Sequence, residues 1–192
     1  MNFIFIILTF LISAVIARIL IPRILLISLR KKLFDIPDDR KIHKRAIPRL
    51  GGVSFFPTTL FAFCLVYAFR LLDGDSISTL YASYLLPELL LFACGMTLLY
   101  LTGIADDLVG VHYRQKFVIQ IFCACLFPLS GLWINDLYGL FGIHELSAYV
   151  GIPFTVLTVV FITNAINLID GIDGLASGLS SVALLVFTFL FI

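Results

Sequence analysis

Long apolar segments limit what this chain can fold into. Of its 192 residues, 61% are hydrophobic and 13% are charged, whereas soluble domains carry about 25% charged residues. Its mean hydropathy is +1.10. An α-helix needs about 20 apolar residues to cross the hydrocarbon core of a bilayer, and several such runs are present. The sequence therefore predicts an all-α, polytopic integral membrane helical bundle.

Five apolar segments are long enough to be predicted as full transmembrane spans. They cover residues 2–27, 50–72, 84–104, 117–133 and 151–168. A sixth apolar segment, 179–192, offers about 14 residues, fewer than the minimum of about 17 for a crossing. We therefore expect one transmembrane domain over residues 1–192 with a truncated sixth span, the N-terminal portion of a longer protein.

The distribution of basic residues predicts the orientation. Eight Lys and Arg residues lie between residues 28 and 49, whereas the segment 73–83 contains two acids and no base. The positive-inside rule places the basic loop in the cytoplasm and the N-terminus outside. Alternation then places the loops 106–116 and 170–178 in the cytoplasm as well. Residues 1–27 are interpreted as an anchor helix, because a signal peptide would have a shorter apolar region and a cleavage site.

The first predicted cytoplasmic loop, residues 34–52, mixes bases with Pro, Gly, acids and His43. A basic loop next to a membrane often only sets topology or contacts anionic lipid. The ordered mixture favours a functional role, since topology requires bases alone. His43 and Arg49 are the candidate substrate-binding residues in this loop.

The second loop is predicted to begin with adjacent carboxylates, Asp106 and Asp107. Their mutual repulsion makes a divalent cation or a nearby base a natural partner. Arg114 and Lys116 follow within about ten residues and could meet a phosphate group. The alternative is that the acids cap a helix N-terminus, which explains one of them more easily than both.

The third loop carries the strongest pattern. Asn164, Asn167, Asp170 and Asp173 are each three residues apart, so on a helical turn they face nearly the same way and could converge on one ligand. Carboxylate and amide oxygens suit Mg²⁺, which is usually held by one or two protein groups together with substrate phosphates. A purely structural loop-and-cap role is the alternative.

The three motifs together resemble a known family. DIPDDRKIHKRAIPRLGG, GIADDLVGVHYRQK and NAINLIDGIDGLASG are similar, in order and spacing, to the signatures of the polyprenyl-phosphate N-acetylhexosamine-1-phosphate transferases. The IPRLGG sequence, preceded by DDRKIH, resembles the undecaprenyl-phosphate GlcNAc-1-phosphate transferase branch rather than the peptidoglycan translocases. The resemblance implies an enzyme of the bacterial inner membrane whose active-site loops are cytoplasmic.

The resemblance also implies roles for individual residues. The implied catalytic residues are Asp106, Asp107, Asp170 and Asp173. Asp106 and Asp107 match the family's aspartate pair, implicated in activating the lipid phosphate and in the metal and diphosphate region, and Asp170 and Asp173 match acids near the nucleotide-sugar and the catalytic centre. Asn167 matches the asparagine at the Mg²⁺. The implied substrate-binding residues are His43, Arg49, Lys116 and Asn164.

The implied reaction joins two anions. The lipid substrate is undecaprenyl phosphate, the donor is a UDP-N-acetylhexosamine, and the cofactor is Mg²⁺ or Mn²⁺. The lipid bilayer and a second copy of the chain are the expected further partners, and no nucleic acid is expected. Two alternatives stay open: an ion-coupled transporter, because acids at a membrane edge also mark carriers, and a non-catalytic remnant of the transferase that does not transfer sugar phosphate by itself.

Overall fold

A computed structural model of the chain describes residues 2–35, 47–48, 50–72, 76–170 and 174–190. Within these residues six α-helices follow one another: α1 (Asn2–Arg30), α2 (Phe55–Leu72), α3 (Ser76–Val109), α4 (Tyr113–Leu129), α5 (Ala148–Ile169) and α6 (Leu175–Leu190). A short antiparallel pair, β1 (Phe34–Asp35) and β2 (Ile47–Pro48), joins the ends of the basic loop. The prediction of an all-α membrane bundle is confirmed.

Four helical segments in the described part of the chain are long and apolar enough to cross a bilayer. They are Phe3–Arg30, Gly51–Leu72, Leu85–Val109 and Ala148–Ile169, and they match four of the predicted spans. The predicted fourth span, 117–133, is wrong at its end, because α4 stops at Leu129 and Gly131 follows with a left-handed φ of 90°. α6 has 16 residues and begins at Leu175, four residues before the predicted apolar start.

The α3 helix extends well beyond its predicted limits of 84 and 104. It has 34 residues, or about 51 Å at about 1.5 Å per residue. The predicted loop 73–83 is therefore largely helical, and so is the predicted loop 106–116, in which residues 110–112 alone separate α3 from α4. Hydropathy marks the part of a helix that suits lipid, whereas the hydrogen-bonded backbone continues through polar residues at both ends.

The helices pack mainly with their sequence neighbours, α1 with α2, α3 with α4, and α4 with α5. The most buried positions carry small side chains, including Ala62, Ala124 and Cys123. Small residues let helices approach closely in lipid, where association depends on packing rather than on removing apolar surface from water. Most large apolar side chains lie outside these contacts and remain exposed, as expected for surfaces that face lipid.

Gly151, in the first turn of α5, marks the closest approach between α5 and the segment that follows α4. A Cβ atom at this position would lie 2.5 Å from the Trp133 ring and 2.5 Å from the Ile134 carbonyl oxygen. Thr155 adds a hydrogen bond one turn later, since its Oγ1 accepts from the Ile134 N–H at 2.8 Å. Only glycine fits here without displacing its neighbours.

We expect Gly151→Ala to destabilise the protein by about 1–3 kcal/mol, the usual cost of overpacking. Gly95→Ala in α3 is the matched control, because the nearest atom to its new methyl group, Leu126 Cδ1, lies at an ordinary 3.4 Å. Alanine also favours the helix by about 1 kcal/mol over glycine. Thermal unfolding in detergent checks both variants, and equal midpoints for the two would contradict the predicted contact.

Candidate functional site

Asp106 and Asp107 lie in the last turn of α3 rather than in a loop. Asp106 Oδ1 accepts a hydrogen bond from the Val111 N–H at 3.0 Å and so closes the turn that leads to α4. The capping of a helix N-terminus does not describe this pair, because acids at a helix C-terminus oppose the helix dipole. Their position therefore needs a positive partner.

Lys116, in the first turns of α4, supplies that partner. Its Nζ lies 2.8 Å from Asp106 Oδ2. The Lys116 side chain is 25% exposed and the Asp106 side chain 33%, so the ion pair stands at the edge of the protein rather than in its interior. The sequence predicted Lys116 as a phosphate-binding base, and the structure shows it in an ion pair with Asp106.

Asn164 and Asn167 lie in the last two turns of α5. Asn164 Nδ2 donates to Gln120 Oε1 at 2.7 Å and to the Val160 carbonyl at 2.8 Å. Gln120 is buried in α4, 8% exposed. This hydrogen bond joins α4 to α5 and fixes the helix face that carries Asn167.

Gln120 was missed as a site residue in the sequence. The available signal was a single amide within the apolar run FVIQIF, because polar side chains inside a membrane span are costly unless they have partners. Its partner, Asn164, is 44 residues away along the chain. Sequence spacing therefore gave no means of connecting the two.

One cavity of about 330 Å³ lies where the C-terminal parts of α3 and α5 meet the N-terminal part of α4. Four predicted residues line it: Asp106, Asp107, Lys116 and Asn167. Gln120, Thr163 and Tyr100 contribute to the same wall. A wider groove of about 700 Å³ shares Lys116, Gln120 and Asn167 and continues along α4 past Arg114 and Phe117, with Asn164 on its α5 side.

The end of the basic loop closes another side of the cavity. Gly52 and Val53 line it, and the Tyr100 hydroxyl donates to the Val53 carbonyl at 2.9 Å. The Tyr100 ring also lies against Phe56, with 5.1 Å between centroids. These contacts hold the chain that follows the basic loop against α3, six residues before the aspartate pair.

The other predicted residues are placed differently. Asp170 is the C-cap of α5 and is exposed, and it does not line either of these two cavities. Asp173, His43 and Arg49 lie outside the described residues.

The donor set around the cavity suits a hard divalent cation. No group of three or more His, Cys, Asp or Glu side chains that could hold a metal occurs in the parts of the chain that the structure describes. Asp106, Asp107 and Asn167 nevertheless line one cavity. Mg²⁺ is commonly held by one or two carboxylates plus substrate phosphates, so the residues present fit this ion.

Comparison with known proteins identifies a family and several relatives of this chain. The sequence profile of glycosyl transferase family 4 matches residues 89–192. A probable undecaprenyl-phosphate N-acetylglucosaminyl 1-phosphate transferase of Bacillus subtilis is 31% identical over 180 residues, 93% of this chain and 46% of the relative. The phospho-N-acetylmuramoyl-pentapeptide-transferase of Staphylococcus carnosus is 30% identical over 198 residues, 95% of this chain and 58% of the relative.

A third relative, an undecaprenyl-phosphate alpha-N-acetylglucosaminyl 1-phosphate transferase of Thermotoga maritima, is 30% identical over 168 residues, 88% of this chain and 47% of the relative. The chain thus spans about half the length of the curated relatives that it matches. No solved structure matches it significantly.

We expect Gln120→Leu to lower the free energy of unfolding by about 1 kcal/mol, because the Asn164 amide then loses one of its two hydrogen bonds. The control is Gln115→Leu, five residues earlier in α4, where the glutamine is exposed. Thermal unfolding in detergent provides the comparison. If Gln115→Leu costs as much as Gln120→Leu, the bond between α4 and α5 does not hold the helices together.

Proposed function

Since this chain belongs to glycosyl transferase family 4, we propose that its protein transfers an N-acetylhexosamine 1-phosphate, GlcNAc-1-phosphate in particular, from a UDP-sugar to undecaprenyl phosphate. The observation that carries this proposal is the cavity at the ends of α3, α4 and α5, where Asp106, Asp107, Lys116 and Asn167 meet. The product would start a lipid-linked glycan of the cell envelope. Family membership gives no support to the ion-coupled transporter.

The position of the cavity suits a reaction between a lipid and a soluble nucleotide. The aspartate pair ends a helix that is long and apolar enough to span the bilayer, so a lipid phosphate at the membrane surface would lie at the same level. The groove along α4 runs from Tyr113, at the start of the helix, past the exposed Phe117 to Gln120. An apolar lipid chain could follow the groove from Phe117 toward the membrane while its phosphate stays near Lys116.

The reaction exchanges one phosphoanhydride bond for another. An oxygen of the lipid phosphate attacks the β-phosphorus of the UDP-sugar, the bond from that phosphorus to the bridging oxygen breaks, and UMP leaves with the bridging oxygen. Both reactants are anions, so positioning and charge compensation carry most of such a reaction. Lys116 has three N–H donors, so it can bind a phosphate oxygen while it keeps its hydrogen bond to Asp106.

We assign Asp106, Asp107 and Asn167 as the groups that would hold Mg²⁺, with Mn²⁺ as a substitute. The ion would supply positive charge to the phosphate oxygens when it is bound. Asp106 has a second task in the closed turn, since it accepts from the Val111 N–H. Asp170 and Asp173 are assigned to the nucleotide-sugar side of the site, and His43 and Arg49 to substrate binding, on the family resemblance of their motifs.

We also propose that the protein resides in the bacterial inner membrane with this cavity on the cytoplasmic face. The eight bases between residues 28 and 49 support this orientation. A cysteine placed at Gln115 in a background without the native cysteines gives a direct check. We expect an impermeant maleimide to leave that cysteine unlabelled in intact cells. Labelling would show that the cavity lies on the outer face instead.

We expect Asp107→Asn to lower sugar-phosphate transfer by about 10²–10³, as when one charge-stabilising contact is removed from a transition state, with the amount of inserted protein unchanged. Asp136→Asn is the matched control, because Asp136 belongs to the segment after α4 and its Oδ1 accepts from the Tyr138 N–H, which an amide oxygen can also do. EDTA should abolish transfer and Mn²⁺ should restore it.

The assay follows labelled sugar phosphate from a UDP-sugar into undecaprenyl diphosphate-sugar. Because the chain spans about half of its relatives, it is tested both alone and joined to the part of the Bacillus subtilis relative that it does not match. If the Asp107→Asn fusion transfers sugar phosphate at the rate of the unaltered fusion, Asp107 has no part in the reaction. If EDTA leaves transfer unchanged, the reaction does not require a divalent cation.

A further inference from the structure

The segment that joins α4 to α5 forms an ordered hairpin, which we call the 130–147 hairpin. Asp136 and Glu145 pair as an antiparallel bridge. Three backbone hydrogen bonds of 2.8–3.0 Å connect the two arms: Leu146 N to Asn135 O, Leu137 N to His144 O, and Gly139 N to Ile143 O. The contact of Gly151 with Trp133 holds the base of the hairpin against α5.

The lengths of α4 and α5 set the height of this hairpin. The Asn164–Gln120 hydrogen bond places these two residues at one level near the cavity. From that level α5 runs back 16 residues to Ala148, about 24 Å, whereas α4 runs nine residues to Leu129, about 14 Å. α4 therefore ends about 10 Å short of the level at which α5 begins.

The hydrocarbon core is about 30 Å thick, and the 17 residues of α4 reach about 26 Å. The hairpin must therefore begin near the far edge of the core and occupy the boundary between acyl chains and headgroups. Unsatisfied backbone groups are costly at such a depth. Its cross-arm hydrogen bonds satisfy many of these groups internally, which suits a hairpin to this position.

The side chains at the tip of the hairpin match that environment. Tyr138 is 88% exposed and Phe141 is 90% exposed, and Leu140 between them is exposed as well. Tyr138 and Phe141 both have left-handed backbone angles, with φ of 52° and 56°. Such angles cost about 1–3 kcal/mol for residues other than glycine and persist where the surrounding structure holds them.

We propose that the 130–147 hairpin is an interfacial anchor, whose tip residues Tyr138, Leu140 and Phe141 insert into the headgroup–acyl boundary of the leaflet opposite the cavity. The partner is the lipid bilayer itself. Aromatic side chains are enriched at this boundary because an apolar ring and a polar group suit its two sides. Tyr149, in the first turn of α5 directly after the hairpin, is a further exposed aromatic residue, at 93%.

A protein partner is less consistent with these observations. The two helices that flank the hairpin also expose large apolar side chains, Phe122 in α4 and Leu157 in α5, as expected of surfaces that face lipid. The end of α4 places the start of the hairpin close to the lipid boundary, so its exposed tip can meet lipid there. The anchor would hold the far ends of α4 and α5 at a fixed depth, while the Gln120–Asn164 bond holds their near ends.

The single tryptophan of the chain, Trp133, makes depth measurable. In the Trp133→Phe background, Phe141→Trp places the one fluorophore at the tip. The protein is reconstituted in phosphatidylcholine vesicles with bromine either near the headgroup or near the end of the acyl chains. We expect bromine near the headgroup to quench this tryptophan at least twofold more strongly than bromine near the chain end.

Leu157→Trp in the same background is the control, because Leu157 is 66% exposed and lies in the middle of α5. It should show the reverse order of quenching. If Trp133→Phe does not fold, Phe141→Trp with Trp133 retained gives the same information as the difference from the unaltered chain. Strong quenching by aqueous iodide with none by either lipid would overturn the anchor, and so would protection from all quenchers, which indicates cover by another protein segment or a second copy.

Discussion

The ion pair between Lys116 and Asp106 is the contact on which the geometry of the cavity at the ends of α3, α4 and α5 depends. Two adjacent acids at the end of α3 oppose the dipole of that helix, and the Lys116 ammonium at 2.8 Å offsets one of them across a turn of three residues. Exposed pairs of this kind contribute only about 0.2–1 kcal/mol. The importance of the pair is therefore its geometry, because it aligns the first turns of α4 with the last turn of α3.

A second polar contact, between Gln120 and Asn164, extends that alignment to α5. The two contacts lie about one helical turn apart on α4, so α4 sets the position of both α3 and α5 along its axis. Asn167 then faces the cavity that Asp106 and Asp107 already line. At the other ends of α4 and α5 the close approach of Gly151 to Trp133 holds the two together, and the difference in helix length sets where the 130–147 hairpin begins.

The helical class and four of the spans followed from hydropathy, because lipid selects for apolar residues along the whole of a spanning segment. The ends of α3 did not follow, since hydropathy falls at Asp106 while the helix continues to Val109. The end of α4 was predicted at residue 133, although Ser130 and Gly131 already gave a turn signal. The turn signal of these two residues lies inside an apolar stretch, and the hydropathy of that stretch favoured a continuous span.

The site, like the fold, was predictable in its local sequence features and not in its long-range contacts. The spacing of three residues placed Asn164 and Asn167 on one face of a helix, as the structure confirms, and the Asp pair was recognised from its unusual position beside a membrane span. The partners of these residues were not predictable, because Gln120 meets Asn164 across 44 residues of chain. Long-range contacts of this kind depend on how the helices pack, which one sequence does not report.

An exchange of the two charges tests whether the Lys116–Asp106 pair takes part in the transfer reaction as well as in aligning the helices. Asp106→Lys and Lys116→Asp are combined in one protein, and sugar-phosphate transfer is measured beside thermal stability. If the cavity performs the transfer, the exchange should recover part of the stability that each single variant loses, while transfer stays at least about 100-fold below the unaltered protein, because the carboxylate no longer lies where charge must be placed. Transfer near the unaltered rate in the exchanged protein would contradict the assignment of this cavity as the active site.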